Sequence, residues 1–353
     1  MQSLSLVTIA AAAIVGNPPR SSFAPLSDQS TPDAIGHTAI LRFPILFSLD
    51  ANGIHTNTHF TSIIALLIFL GFLGGARLPT LSRTFGRSES ACSRIYTAIA
   101  NEIHTTWSHL LDIRRAHGSL LRPRQLRRYP NSIAAQQCTL ENLWGFIDGT
   151  VRATARPIRN RKEYYGGHKR HHGHKYQVVI TPDGMMWIFG PVAARRNDSF
   201  VLQDNKLHQW LDEHSRDENG KDLLIFGDKG YAAHGHLVVP HKGLFLTPAQ
   251  DQFNLRLSRV RIAVEWAIGG VTTLFPRLDV KRAQRMLHSD LPSQYRIAVL
   301  LRNALSSVLR LFEPDESDLS MSNSNPGRIL CTSVVPLNLK YAHAHSIPVP
   351  TQQ

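Results

Sequence analysis

Residues 143–154 read LWGFIDGTVRAT, an apolar run that is interrupted by Asp148 and then by a turn-prone glycine. A second apolar run, DLLIFGDKGY at residues 222–231, stops at Asp228 and is also followed by a glycine. Aspartate is a poor strand former, and burying an unpaired carboxylate is costly. Either aspartate alone is explained most simply as an ordinary turn residue. The repeated pattern instead indicates two buried strands that present carboxylates at one edge of a sheet.

The sequence around these strands predicts a mixed α/β domain with a central sheet. Residues 176–181 and 185–189 flank a Pro-Asp-Gly turn and predict a β-hairpin. Residues 201–215 and 256–275 have the apolar spacing of amphipathic helices. Residues 243–248, GLFLTP, predict a further short strand.

Glu265 lies in the middle of the second predicted helix, beside Trp266. The glutamate is either an exposed residue paired with Arg261 one turn earlier or a ligand that faces a charged group. Hard divalent cations prefer oxygen ligands, and three carboxylates can hold two such ions for phosphodiester cleavage. For Trp266, packing in the core is preferred to stacking on a nucleobase.

Composition indicates a basic globular protein. The chain has 353 residues, of which 39 are Lys or Arg and 26 are Asp or Glu, giving a net charge of +13. Such an excess favours a polyanionic partner, with nucleic acid first. Apolar residues make up 42%, which permits a packed core and argues against a wholly disordered chain. The three widely spaced cysteines argue against a disulfide framework.

Two apolar segments near the N-terminus could indicate a secretory signal or a membrane-spanning helix. Residues 4–15 look like the apolar part of a secretory signal, but no Lys or Arg precedes them, which disfavours that interpretation. Residues 62–76 are too short to cross a bilayer and predict a buried helix. We therefore expect no membrane association.

Residues 79–111 have the outline of a helix-turn-helix, with a break at Gly86 and a cap at Ser88. Ile95, Ile99 and Ile103 would form one apolar stripe on the second helix. The unit either contacts DNA or is a helical hairpin that supports the next domain, and the sequence leaves both open.

A series of short blocks between residues 78 and 309 resembles the PIF/Harbinger class of transposases. The blocks are FGRS at 85–88, FIDGT at 146–150, GGHKRHHGHKYQ at 166–177, RRNDS at 195–199, GDKGY at 227–231, VEWAIGG at 264–270 and LLRNAL at 300–305. The resemblance implies a DDE nuclease with an RNase H-like fold. It also implies Asp148, Asp228 and Glu265 as the catalytic and metal-binding triad.

With this resemblance the chain divides into five parts. They are a leader at 1–55 expected to be disordered, a helical region at 56–115, a basic linker at 116–140, the RNase H-like domain at 141–312, and a tail at 313–353 expected to be disordered. The family implies a divalent metal, Mg²⁺ or Mn²⁺, with two ions in the site. It further implies DNA as substrate, action in the nucleus, a separate Myb-like DNA-binding protein as partner and an oligomer of the chain itself.

Basic residues near the acidic ones are candidates for contacting phosphates. They are Lys162, Lys169, Arg170, Lys175, Arg195, Arg196 and Lys229. Asp198 is either a fourth acidic group near the metals or the N-cap of a helix. A zinc site at His168, His171, His172 and His174 is disfavoured, because four histidines within seven residues suit a tetrahedral site poorly.

Two functions remain at this point. The first is a metal-dependent endonuclease or transposase that cleaves phosphodiester bonds of DNA. The second is a domesticated or decayed transposase copy that binds DNA without cleaving it.

Overall fold

The structure is a computed structural model that describes residues 59–116, 121–135, 138, 140–167, 169–279 and 290–311. The signal-like segment at 4–15, the leader at 1–55, the tail at 313–353 and His168 all lie outside the described residues.

The described part of the chain before the sheet is helical. Its helices are α1 (His59–Leu73), α2 (Leu78–Phe85), α3 (Glu89–Trp107), α4 (Ile113–Ala116), α5 (Pro123–Leu126) and α6 (Arg128–Ala134), with a 3₁₀ turn at Ser108–Leu111. Helix α1 is the buried helix that the apolar run predicted, and Ile68, Phe69 and Leu70 are almost fully enclosed. Within the described residues, no helix is both long and apolar enough to cross a membrane.

The segment predicted as a basic linker, 116–140, instead contains the short helices α5 and α6. Its many arginines are interspersed with Leu121, Leu126 and Ile133, which are completely buried. These apolar anchors dock the basic segment on the core.

One mixed sheet forms the centre of the molecule. Its strands are β1 (Leu143–Ala153), β2 (Tyr165–Gly166), β3 (His171–Ile180), β4 (Met186–Ala193), β5 (Leu224–Gly227) and β6 (Leu237–Val238). Strand β1 pairs antiparallel with β3 on one side and parallel with β5 on the other, and β6 extends the parallel half. Strands β4 and β2 both pair with the outer edge of β3. The predicted hairpin and the mixed sheet are therefore confirmed.

Helices cover both faces of the sheet. They are α7 (Arg161–Tyr164), α8 (Asp198–Asp204), α9 (Leu207–His214), α10 (Pro248–Leu274) and α11 (Leu291–Leu311), with a 3₁₀ turn at Pro276–Asp279. Val178 on one face shares an apolar core with α10, α11, α1 and α3. Val179 on the other face packs in a second core with Trp210 of α9. A mixed sheet flanked by helices on both faces is consistent with a DDE nuclease fold.

The strand predicted at 243–248 is absent. Leu244 and Phe245 are each 96% exposed, and Pro248 already begins α10. Strand β6 is the last strand on this side of the sheet, and residues 243–248 do not pair with it.

The helical region before the sheet has the geometry that its sequence predicted. Gly86 ends α2 with φ of 62°, and the Ser88 side chain accepts a hydrogen bond from the Ala91 backbone N–H at 3.2 Å. Ile99 and Ile103 of α3 lie in the same apolar core as α11 and the sheet. This packing favours a supporting role for the helical pair, and DNA contact by it stays a prediction.

Asn303 fastens α11 to the edge strand β4. Its side-chain nitrogen donates to the Met186 carbonyl at 2.7 Å, and its oxygen accepts from the Met186 backbone N–H at 3.1 Å. Both residues are buried. The amide therefore supplies the two hydrogen bonds that a neighbouring strand would supply to this edge.

We expect Asn303→Ala to lower the free energy of unfolding by about 2–3 kcal/mol, measured by urea unfolding. The substitution leaves a buried donor and a buried acceptor of Met186 without partners, and each such group costs about 1–3 kcal/mol. Asn101→Ala, at an exposed position of α3, is the matched control and should change stability by less than about 0.5 kcal/mol. Equal effects of the two substitutions would contradict the proposed role of the amide.

Candidate active site

Asp148 and Asp228 lie side by side because β1 and β5 pair in parallel with Ile147 opposite Gly227. The next residue of each strand is an aspartate, and β5 ends just before Asp228. Strand β1 continues past Asp148 to Ala153, and its second half pairs with β3. The predicted meeting of two carboxylates at one sheet edge therefore holds, at the point where the parallel half of the sheet stops.

Asp198 adds a third carboxylate from the opposite face of the sheet. The N-cap of α8 is Asn197, whose side chain accepts from the Phe200 backbone N–H at 2.7 Å. Asp198 is the first residue within the helix, so its interpretation as the cap was wrong. Its carboxylate instead lies over the end of the sheet, beside Gly149.

Two glycines make room for these carboxylates. A Cβ atom placed on Gly149 would lie 1.9 Å from Asp198 Oδ1, which no side chain can tolerate. A Cβ atom on Gly230 would lie 3.0 Å from Asp228 Oδ1 and 3.1 Å from Asp198 Oδ2. A side chain at Gly149 would force the Asp198 carboxylate to shift, whereas one at Gly230 would make only tight contacts with the carboxylates of Asp228 and Asp198.

Two cations balance the acidic edge. Lys175 Nζ lies 3.0 Å from Asp198 Oδ1, with 11% of the lysine side chain exposed. Arg261 Nη2 on α10 lies 3.9 Å from Asp148 Oδ2 and 3.7 Å from Glu265 Oε1. Glu265, whose side chain is 64% exposed, is therefore linked to Asp148 through this shared guanidinium.

Burial raises the pKa of Asp148 to about 6, against the lowering effect of Arg261. The charges of Asp228 and Asp198 raise the pKa further, whereas a 2.9 Å hydrogen bond from the Gly149 backbone N–H lowers it. The carboxyl is thus held in a desolvated place with two acidic neighbours. Such a perturbed group in a cluster of like charges is typical of a functional site.

The acidic edge fits a divalent metal by the chemistry of its donors. Carboxylate oxygens are the ligands that Mg²⁺ and Mn²⁺ prefer, and Asp148, Asp198 and Asp228 supply them from three segments. In the described part of the chain, however, no three His, Cys, Asp or Glu side chains are arranged to hold a metal ion. Arg261 and Lys175 instead supply the positive charge.

The histidines that the sequence raised as a zinc site lie on β3 rather than in a loop, apart from His168, which lies outside the described residues. His174 is buried against the Tyr164 ring, at a centroid distance of 5.3 Å. His172 pairs across the sheet with Tyr165. Alternate strand residues point to opposite faces, so His171 points away from His172 and His174.

Six of the seven predicted phosphate contacts are exposed. They are Lys162 on α7, Lys169 and Arg170 before β3, Arg195 and Arg196 after β4, and Lys229 after β5. Lys175 differs, because it is 8% exposed and paired with Asp198. Its placement gives it a structural partner inside the protein.

Sequence reasoning missed the contact of Arg261 with Asp148 and the surface position of Trp266. The sequence indicated Arg261 only as a partner of Glu265. Because the two residues lie on the same face of the helix, a group that approaches Glu265 also approaches Arg261. Trp266 is 56% exposed, so its assignment to the core was wrong. Val264 and Ile268 already occupy the face of α10 toward the sheet.

One cavity among the described residues, of about 370 Å³, lies away from these carboxylates. It opens between the edge of β4, the start of α9 and the segment after the first 3₁₀ turn. Its wall includes Gln177 and Asn205 but none of the acidic residues described above.

Residues 147–303 match the family model of the DDE superfamily endonucleases. The DDE match begins one residue before Asp148, includes Asp228 and Glu265, and ends at Asn303. No curated protein and no solved structure matched the chain. The DDE match supports the superfamily for this segment and a nuclease-like or transposase-like function, and nucleases of this superfamily generally use divalent metals to act on DNA.

We expect Asp148→Asn to raise the free energy of unfolding at pH 7.5 by up to about 3 kcal/mol, in buffer with EDTA. The folded state holds the Asp148 proton to about pH 6, whereas the model value for the free group is 3.8. The stability from that proton is full below about pH 4 and is lost as the pH rises through about 6. Asparagine carries no charge, so the advantage of the variant should vanish near pH 4 in urea unfolding.

Asp204→Asn, at an exposed position of α8, is the control and should show no such pH dependence relative to the wild type. A stability difference for Asp148→Asn that is the same at pH 4 and pH 7.5 would contradict the burial argument.

Proposed function

We propose that the protein is a metal-dependent DNA endonuclease of the DDE type, related to the PIF/Harbinger transposases. The observation that carries the proposal is the parallel register that sets Asp148 beside Asp228. The match of residues 147–303 to DDE superfamily endonucleases supports the same conclusion independently of the geometry. The three antiparallel and two parallel pairings of the sheet support an RNase H-like fold.

In this proposal Asp148, Asp228 and Glu265 hold Mg²⁺ or Mn²⁺, with two ions as in other two-metal nucleases. A bound divalent cation would polarise the scissile phosphodiester and lower the pKa of the attacking water or hydroxyl. The chain itself presents oxygen ligands where the paired strands β1 and β5 end. Asp148 and Glu265 share the Arg261 guanidinium, and a metal held by both carboxylates would take its place.

A second candidate is a decayed or domesticated copy that binds DNA without cleaving it. The position of Arg261 favours this alternative, because its guanidinium neutralises Asp148 and Glu265 where a metal would otherwise do so. The two candidates share the basic surface and differ in whether metal displaces the arginine.

The decisive measurement is nicking of supercoiled DNA by the full chain with Mg²⁺ or Mn²⁺. We expect the wild type to nick and Asp228→Ala to lose at least about 100-fold in rate, since even groups outside the metal's ligand sphere commonly contribute 10–100-fold. Asp222→Ala is the matched control at the opposite end of β5, with a side chain that is 63% exposed. That variant should nick at the wild-type rate.

Cleavage that survives Asp228→Ala would refute the triad as proposed. A wild type that binds DNA but never nicks it, with either metal, would instead support the decayed copy.

We further propose that DNA lies across the six exposed basic residues around the acidic edge. The net charge of +13 supports this surface as a polyanion site. Action in the nucleus, a Myb-like accessory protein and an oligomer of the chain are proposals that rest on the PIF/Harbinger resemblance alone.

We expect the combined substitution of Arg195, Arg196 and Lys229 by alanine to reduce the salt dependence of DNA binding. Each phosphate contact that is removed should lower the slope of log K against log salt by about 0.9. The slope should therefore fall by up to about 3 in fluorescence anisotropy titrations between low and physiological salt.

The control replaces Lys206, Arg216 and Lys221, three exposed basic residues before β5, by alanine. It removes the same formal charge from another part of the surface. If both triple variants reduce the slope equally, DNA binding depends on overall charge rather than on the proposed surface.

A further inference from the structure

Helix α10 has an exposed face that the proposed cleavage chemistry does not use. Ile262 and Trp266 are 51% and 56% exposed, and exposed Arg259 precedes them on the same face at spacings of three and four residues. The opposite face carries buried side chains such as Val260 and Val264. Leaving a tryptophan on the surface forgoes the free energy of burying a large apolar ring, so this position points to a ligand that covers it.

Trp266 is adjacent to the acidic edge. It directly follows Glu265, whose carboxylate shares the Arg261 guanidinium with Asp148. Among the described residues, no aromatic ring stacks on the Trp266 indole and no cation lies over it. A flat apolar ring is therefore open to solvent one residue from a proposed metal ligand.

The chemistry of this face matches a nucleotide. Arg259, about 10 Å before Trp266 along the helix axis, provides a cation for a phosphate. The indole provides a flat surface of the kind on which nucleobases stack irrespective of their sequence. Ile262 lies between them and offers an apolar contact for a sugar or for the base edge.

We propose that Trp266 is a nucleobase-stacking residue that holds an unpaired base next to the phosphate presented to the acidic edge. Bases inside a duplex offer no free face, so the ligand is a DNA nucleotide that is single-stranded or turned out of the stack. The inference rests on the proposed function for the location of DNA, and it adds a preference for locally unpaired substrate.

The experiment measures binding of the full chain in EDTA, so that no cleavage is required. Two DNAs of equal length are compared, one fully paired and one with a three-nucleotide unpaired bubble that contains 2-aminopurine. We expect Trp266→Ala to weaken binding of the bubble DNA by about 10-fold and to leave binding of the paired DNA unchanged. Trp266→Phe, which keeps an aromatic ring, should retain most of the affinity.

The fluorescence of 2-aminopurine gives a second readout, because stacking quenches it. The wild type should quench the probe on binding, and Trp266→Ala should not. Leu255→Ala is the control, since Leu255 is 54% exposed on the same helix three turns earlier. It should behave as the wild type in both assays, and thermal melting should show all variants folded.

Equal losses on paired and unpaired DNA, or an equal effect of Leu255→Ala, would overturn the stacking role. If the wild type sediments as a dimer and Trp266→Ala as a monomer, with the 2-aminopurine quenching unchanged, the face would be assigned to a second copy of the chain. That result would also overturn the stacking role. Failure of the wild type to bind either DNA would instead refute the proposed function, so the two failures are distinguishable.

Discussion

The crowding of like charges where the parallel half of the sheet ends is the constraint on which the remaining structure depends. Asp148, Asp198 and Asp228 approach one another from two strands and one helix, in a place where burial raises the pKa of Asp148. Coulomb repulsion in a partly desolvated site would drive these segments apart if it were uncompensated. Lys175 and Arg261 compensate it from either side of the sheet.

This balance of charge also constrains the residues that surround the three aspartates. At Gly149 a Cβ atom would lie 1.9 Å from Asp198 Oδ1, so the carboxylate can keep its present position only beside a glycine. Lys175 is buried on β3 rather than displayed on the surface because Asp198 requires a partner there. The site is thus a set of mutually dependent charges and spaces, and the fold provides it before any ligand arrives.

The parts of the fold that could be predicted from the sequence are those that depend on local sequence patterns. The two strands that end near aspartates, the hairpin around its Pro-Asp-Gly turn and the buried stripe of α10 all follow from periodicity and turn chemistry. Asp148 and Asp228 were likewise predicted to meet, because the ends of neighbouring parallel strands share an edge.

The errors arose where the outcome depends on a distant partner. Residues 243–248 have the apolar composition of a strand, but no strand of the sheet pairs with them, and Pro248 begins α10. Trp266 looks like a core residue by composition, yet the sheet side of α10 is already filled. Glu265 reaches Asp148 through Arg261, a contact that joins residues far apart in the chain and leaves no local signature.

The position of α10 late in the chain has a consequence for synthesis. A ribosome releases the two aspartate strands long before Arg261 and the apolar stripe of α10 emerge, so a prematurely terminated product carries unbalanced carboxylates and an uncovered sheet face. Such a fragment lacks the part of the apolar core that α10 and α11 supply, and it is expected to be degraded or to aggregate. Premature termination is therefore not expected to leave a folded product that carries the acidic edge.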